Sequence, residues 1–392
     1  MTRPAGPPDT VGPPRSAAHI GAVFLRLGLT AFGGPAAHIA MFREEFVRRR
    51  GWLDDRAFAE LLAASNLIPG PTSTELAMHL GYRGAGWRGL LAAGLAFAGP
   101  AVAIVAVLAW VYVTWGALPE VRGILAGIAP VVVAIVAHAT VGLGRSVLTT
   151  PILAAVAAGA VVASLAGVPD LVTLLAGGAV GFAAATGRRG RPHLPAAAPG
   201  IGLAAGAAAT AAGVAGVVGL AGLFASFLKI GAVLFGSGYL LIALLRSEFV
   251  VGAGLLTERQ LLDAVAVGQV TPGPVFTTAT FVGYVLLGVP GAIAATVGMA
   301  LPAFVFVALS IPLLERVQRS SAARAALTGV SAAVVGLLAA VSGALGQTAI
   351  VDPVTALLGL LAFVALERRA LGPATLLAIG AVVGALRAVV GA

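Results

Sequence analysis

Slid along itself by 203 positions, the sequence matches itself without a gap for about fifty residues. A match of that length makes chance a poor explanation. Phe24, Leu25, Arg26, Leu27 and Gly28 meet Phe227, Leu228, Lys229, Ile230 and Gly231, and Phe32 with Gly33 meets Phe235 with Gly236. Glu45 and Phe46 fall on Glu248 and Phe249, Asp55 and Arg56 on Glu258 and Arg259, Glu60 on Asp263, and Asn66 on Gln269. Pro69, Gly70 and Pro71 then fall on Pro272, Gly273 and Pro274, and Tyr82 meets Tyr284 after a slip of one. Each Pro-Gly-Pro interrupts an apolar run. Proline has no amide hydrogen and disfavours helix in the residue before it, and glycine tolerates the turn, so one helix stops and the next starts there. The second proline suits a first helical position. The chain must fold as two copies of one broken-helix unit.

What surrounds those breaks follows from composition. With 59% hydrophobic and 10% charged residues, there is too little polar surface to coat a water-soluble fold, and an all-α, polytopic membrane protein is expected. In lipid a break in a helix is tolerated only where it faces protein or a water-filled cavity. The net charge of +9 does not point to nucleic acid, because the arginines cluster between apolar runs as topology signals. The chain has no cysteine, which excludes disulfides, thiolate catalysis and Cys-ligated metals.

Residues 1–19, Pro-rich with Arg3 and Arg15, are expected to form a disordered cytoplasmic tail rather than a cleaved leader. Residues 20–187 form the first transporter repeat, 188–223 a basic linker with one connecting helix at about 201 to 222, and 224–392 the second repeat. Each repeat opens with two short apolar segments, about 20 to 34 and 36 to 50, then about 224 to 238 and 239 to 252. They are short for spanning helices, and re-entrant hairpins at 55 to 68 with 71 to 83, and at 258 to 271 with 274 to 287, follow them. Asp54 is the expected N-cap of the first hairpin, and Thr257 with Gln260 a capping box for the second. Four longer runs close each repeat, at about 87–112, 123–144, 151–168 and 171–187, and at about 290–312, 322–345, 353–366 and 372–390. Basic loops at Arg83 and Arg88, at Arg145 and at Arg188, Arg189 and Arg191 lie at alternate helix ends of the first repeat. Those at Arg316, Arg319 and Arg324, and at Arg368 and Arg369, lie at the opposite ends of the equivalent helices. The repeats should therefore be inverted, with the N-terminus in the cytoplasm.

A helix that restarts after a break offers free backbone N–H groups and about half a positive charge, a place for an anion. The candidate binding set is therefore Gly70, Pro71, Thr72, Ser73 and Thr74 at the first break and Gly273, Pro274, Thr277 and Thr278 at the second, preceded by Asn66 and Gln269. Threonine and serine also often satisfy backbone groups in membrane helices, so the hydroxyls have a purely structural alternative. Gly33, Gly34, Gly236 and Ser237 would let backbone approach a ligand or another helix closely. Lys229, the single lysine, and its counterpart Arg26 supply full positive charge in apolar segments, or else snorkel to the membrane edge. Glu45 and Glu248 are candidates for ion coupling or for salt bridges with nearby arginines. Glu75 and His79, one helical turn apart without counterparts in the second repeat, are candidates for a pH-sensitive element or for a mutually satisfied pair. His138 reads as a structural histidine.

Taken together, Phe-Leu-Arg-Leu-Gly, Phe-Gly-Gly-Pro, the charged stretch into Gly51-Trp52-Leu53, Asn66-Leu67-Ile68-Pro69-Gly70-Pro71-Thr72 and Leu80-Gly81-Tyr82-Arg83 resemble the CHR chromate ion transporters in their long, two-domain form. Gln269 through Tyr284 is similar to that family's second signature. Glu75 stands where that family is expected to carry a neutral polar residue. The resemblance implies export of chromate, with sulfate as the similar oxyanion, through the plasma membrane of a bacterium or related cell. The expected partners are that anion, the bilayer and, as one option, a second copy in a homodimer; no cofactor, metal or catalytic residue is implied. The alternatives are a membrane enzyme acting on lipid phosphates, disfavoured because neither break has an adjacent arginine, and a small-anion channel.

Overall fold

The computed structural model describes residues 16–66, 68–186, 219–235, 238–318 and 321–390. The connecting helix expected at 201–222 therefore lies outside the described residues up to 218, as do Gly236, Ser237 and the basic cluster at Arg188. Fourteen helices and no strands are present among the described residues. In the first repeat these are α1 (Ala17–Thr30), α2 (Gly34–Arg43), α3 (Asp55–Ser65), α4 (Thr72–Trp115), α5 (Pro119–Val147), α6 (Pro151–Leu165) and α7 (Asp170–Thr186). The second repeat has α8 (Leu220–Val233), α9 (Leu240–Leu245), α10 (Glu258–Val270), α11 (Thr278–Gln318), α12 (Ser321–Ala349), α13 (Pro353–Glu367) and α14 (Pro373–Val390). The helix α1 begins at Ala17, capped by the Ser16 hydroxyl, ahead of the first-repeat boundary expected at 20.

Local chemistry accounts for most boundaries. Asp54 Oδ1 accepts the Ala57 N–H at 2.7 Å at the start of α3, and Thr257 and Gln260 form the reciprocal capping box that opens α10. α2 and α9 each run into a π-helical turn, Glu44–Arg49 and Arg246–Gly252. At 44 residues α4 would be about 66 Å long if straight, twice the hydrocarbon thickness. Instead it reverses at Ala85 and Gly86, where Gly86 has φ 57°, and α11 does the same at Leu287 and Gly288, φ 62°. After each reversal the chain folds back on itself, so that Gly81 lies against Gly89 and Gly283 against Gly291 with no room for a Cβ on either side. The hairpins expected from Pro-Gly-Pro are present, and their second arms lead directly into the spanning segments.

The slip of one residue between the repeats has a geometric reason. After the second break the chain starts with a 3-10 turn, Val275–Thr277, where the first repeat is already α-helical at Thr72. Three residues at about 2.0 Å rise cover the distance that four cover at about 1.5 Å.

Packing exchanges the repeats. α5 packs on α14 and its equivalent α12 on α7; α1 packs on α4, as α8 does on α11. Along the first seam Gly123 faces Ala388 and Gly127 faces Gly380, and along the second Gly177 faces Ala333 and Gly181 faces Ala325. Both seams are antiparallel. Since α5, α6 and α7 are joined by short loops and alternate in direction, α5 and α7 run alike, and antiparallel seams with α14 and α12 make one repeat the inverse of the other. The cross-links between the repeats agree with this. Arg145 donates to Glu367 Oε2 at 2.8 Å and His138 Nδ1 lies 2.9 Å from Oε1, which brings together two helix ends that the charge pattern assigns to the cytoplasm. His138, read from the sequence as a structural histidine, is thus tied into an ion cluster between the repeats.

Among the described residues five helices are long and apolar enough to cross a membrane, and the outward faces carry Leu91, Leu95, Leu357, Leu360 and Leu386, all exposed. Trp87 and Trp115, also exposed, bracket the returning arm of α4 about 42 Å apart at helical rise, close to the full thickness of a bilayer with its headgroups. The chain is an all-α polytopic membrane protein.

The breaks interlock as well. The Gly70 N–H donates to the Leu234 carbonyl at 2.5 Å, and the Gly273 N–H to the Ala31 carbonyl at 2.8 Å. Each turn hydrogen-bonds the end of the first helix of the opposite repeat. Gly273 has φ 106° and a Cβ there would stand 2.8 Å from the Ala101 methyl, so Gly273→Ala combines backbone strain with a clash. It should lower the midpoint of thermal unfolding in detergent by more than Gly86→Ala, where φ is also positive but nothing lies within 4 Å. About 2–4 kcal/mol against about 1 kcal/mol is expected; equal midpoints would show that the turn is not held by the other repeat.

Candidate functional site

Three layers of polar groups follow the pseudo-two-fold exchange. The outer two are ion pairs. Arg26 Nη2 donates to Glu45 Oε1 at 2.5 Å, and Lys229 Nζ to Glu248 Oε2 at 2.5 Å. Both carboxylates are presented by the π-helical turns, whose extra residue per turn re-aims the side chain toward α1 or α8. Two residues earlier Arg43 meets Asp55 at 2.7 Å and Arg246 meets Glu258 at 2.7 Å. This second equivalent pair was not singled out from the sequence, although Arg43 and Arg246 also stand 203 residues apart.

Around these shared pairs the repeats differ. Glu45 is buried and takes Arg49 at 3.1 Å and Arg50 at 2.6 Å as well as Arg26, while Arg50 also lies over the Trp52 ring at 5.3 Å. In the second repeat the corresponding positions are Gly252 and Ala253, and Glu248 adds only the Ser226 hydroxyl at 2.8 Å. Lys229, Glu248, Arg246 and Ser247 line a cavity of about 500 Å³ with Asp170. An ion pair that lines such a space leaves its cation within reach of another anion.

The inner layer is the pair of breaks. Residues 69–80 and 271–283 are buried, so the turns are enclosed by protein as membrane depth requires. Their hydroxyls are not equivalent. Thr277 Oγ1 donates to the Pro274 carbonyl at 3.0 Å and Thr278 Oγ1 to the Val275 carbonyl at 2.9 Å, and Thr271 is likewise bonded back to Val267. At the first break Thr74 Oγ1 and both Glu75 oxygens are buried without a hydrogen-bond partner. The Glu75 carboxyl folds over the turn so closely that a side chain at Gly70 would overlap it. Among the described residues the unpartnered hydroxyl and carboxyl oxygens of the two breaks thus lie at the first, and the second keeps the Gln269 amide nitrogen, an asymmetry the repeat itself does not announce.

The remaining candidates fall around this core. Gly33 and Gly34 have φ 104° and 76° and break α1 from α2, with Gly34 beside the Tyr239 hydroxyl. Asn66 is the exposed C-cap residue of α3, whereas Gln269 is buried with its amide nitrogen unpartnered. His79 is buried one turn beyond Glu75, its Nε2 3.5 Å from the Ser310 hydroxyl of α11, so Glu75 and His79 do not form the mutually satisfied pair weighed above.

The Chromate transporter family model matches this chain twice, over residues 18–182 and 221–385, again 203 residues apart. The chain belongs to the chromate transporter family. It is 36% identical over 337 residues to the chromate transport protein of Pseudomonas aeruginosa, covering 84% of this chain and 81% of that one. It is 33% identical over 343 residues to the chromate transport protein of Cupriavidus metallidurans, covering 86% and 84%. A probable chromate transport protein of Synechococcus elongatus is 28% identical over 343 residues, 87% of each chain. No solved structure matches.

The crowding of three guanidinium groups on one buried carboxylate sets an expectation for stability. Glu45→Gln removes the negative charge that Arg26, Arg49 and Arg50 share and should cost about 1–2 kcal/mol, since those arginines remain partly in solvent. Glu44→Gln loosens only a surface contact with Arg48 at 3.8 Å and should cost less than about 0.5 kcal/mol. Thermal unfolding of the two variants in one detergent checks the order, and equal midpoints would contradict it.

Proposed function

We propose that this protein exports chromate, and oxyanions of the same shape such as sulfate, across the plasma membrane by alternating access of its inverted repeats, with the N-terminus in the cytoplasm. The observation that carries this reading is the pair of buried breaks, each held by the opposite repeat, with an ion pair of each repeat toward either side. A doubly charged anion leaving water loses a large hydration energy that helix ends and hydroxyls, with partial charges, cannot replace alone. Arg26 and Lys229 supply whole charges. In each outer pair the oxyanion takes the place of Glu45 or Glu248 on the cation, and the displaced carboxylate keeps Arg49 and Arg50 in the first repeat and the Ser226 hydroxyl in the second. From there it passes to the first break, where the helix start at Thr72 and the hydroxyl of Thr74 receive it.

The relatives named for chromate support the ion, and the tetrahedral shape and double charge of sulfate make it the natural second substrate. Direction follows from the membrane potential: inside-negative, it favours expulsion by about 2.3 kcal/mol per charge per 100 mV. Rocking of one repeat against the other would have to break and remake the Gly70 and Gly273 bonds, which are the contacts that tie each hairpin to the other repeat.

Uptake of labelled chromate into inverted vesicles tests this. Arg26→Gln and Lys229→Gln should each abolish uptake while the protein stays folded in the membrane. Lys229→Arg should keep part of it, because charge matters more than fork geometry for a tetrahedral ion. Parental rates in both Gln variants would make these side chains structural anchors and remove them from the path.

A further inference from the structure

Glu75 is the buried group that the transport path just described leaves without a role. It is fully enclosed, lies in the first turn of α4 directly over Gly70, and neither oxygen has a hydrogen-bond partner. Thr74 beside it is also unpartnered. An enclosed carboxylate without a counter-ion is prohibitively unstable, so in this arrangement the group holds a proton.

No neighbouring element neutralises it. On its own helix the next ionisable group is His79, whose ring meets Ser310 of α11, and the described part of α11 whose side chains are placed carries no charged residue. On α1 Arg26 is taken by Glu45, and on α2 His38 is bonded to the Ala31 carbonyl at 3.0 Å. On α3 Arg56 is paired with Glu60, and on α10 Asp263 accepts the Tyr112 hydroxyl at 3.0 Å. The second break offers no such group: at the 203-residue register Thr278 and Val282, and past the slip of one Thr277 and Phe281, stand where Glu75 and His79 would be.

We infer that Glu75 is the proton-binding partner of the oxyanion site, so that a divalent oxyanion and one proton bind there together. This rests on the oxyanion reading above. A protonated Glu75 can donate its O–H to an oxyanion held at the start of α4; the ionised form would face a dianion at contact distance in low dielectric and repel it. Binding is therefore linked: the anion raises the proton affinity of Glu75, and the proton raises the affinity for the anion by the same factor. If the proton leaves with the anion, each export cycle moves one negative charge instead of two.

Sulfate is the cleaner probe, because it stays a dianion from mildly acidic to mildly alkaline solution while chromate itself takes up a proton in that range. Equilibrium binding of labelled sulfate to the purified protein should weaken on the alkaline side by up to about tenfold per pH unit. Glu75→Gln should flatten that slope, and Glu75→Asp, which keeps a carboxyl, should restore it. As a readout on the unaltered protein, sulfate added in weakly buffered alkaline solution should draw up to one proton per bound anion. Equal slopes in wild type and Glu75→Gln, or sulfate binding without proton uptake, overturn the inference alone. If the wild type binds neither sulfate nor chromate at any pH, the oxyanion reading fails and this inference with it.

Discussion

Backbone hydrogen bonding in the absence of water is the constraint on which this fold depends. A helix broken by Pro-Gly-Pro in mid-membrane exposes N–H groups that lipid cannot satisfy. Here the acceptors come from the other repeat in each case: Leu234 ends α8 and receives Gly70, and Ala31 ends α1 and receives Gly273. Neither repeat can complete its own turn. The exchanged packing of α5 with α14 and α7 with α12 follows the same logic, and inversion of one repeat against the other is the arrangement that lets identical ends meet.

Duplication gives a symmetric frame, yet transport of an ion in one direction benefits from two unlike faces. The chain departs from its own symmetry at few places. One is the collar of arginines on Glu45, replaced by Gly252 and Ala253 around Glu248. Another is the break itself, where Thr277 and Thr278 spend their hydroxyls on the backbone while Thr74 and Glu75 keep theirs free.

Much of the frame was legible in the sequence because it rests on local rules. Proline and glycine mark the breaks, Asp54 and the Thr257–Gln260 box mark helix starts, and the 203-residue register pairs the repeats. The arginine loops indicated inversion, which the antiparallel glycine seams support. What could not be read depends on groups brought together from afar. The pairing of Glu367 with His138 and Arg145 joins residues more than two hundred positions apart. The hydroxyls of Thr277 and Thr278 read as candidate ligands, and only their hydrogen bonds show them already spent. The reversals at Gly86 and Gly288 fall where the sequence already parts the hairpin arms from the spanning runs, between 83 and 87 and between 287 and 290.

The central claim is that a carrier, with its site open to one side at a time, moves a divalent oxyanion. Counterflow measures this directly. Proteoliposomes loaded with unlabelled sulfate and placed in a trace of labelled chromate should accumulate label transiently above equilibrium, because each outward sulfate returns the site for an inward chromate. Label that only rises to equilibrium, unaffected by the sulfate inside, would mean a pore; no entry of label at all would contradict oxyanion transport by this chain.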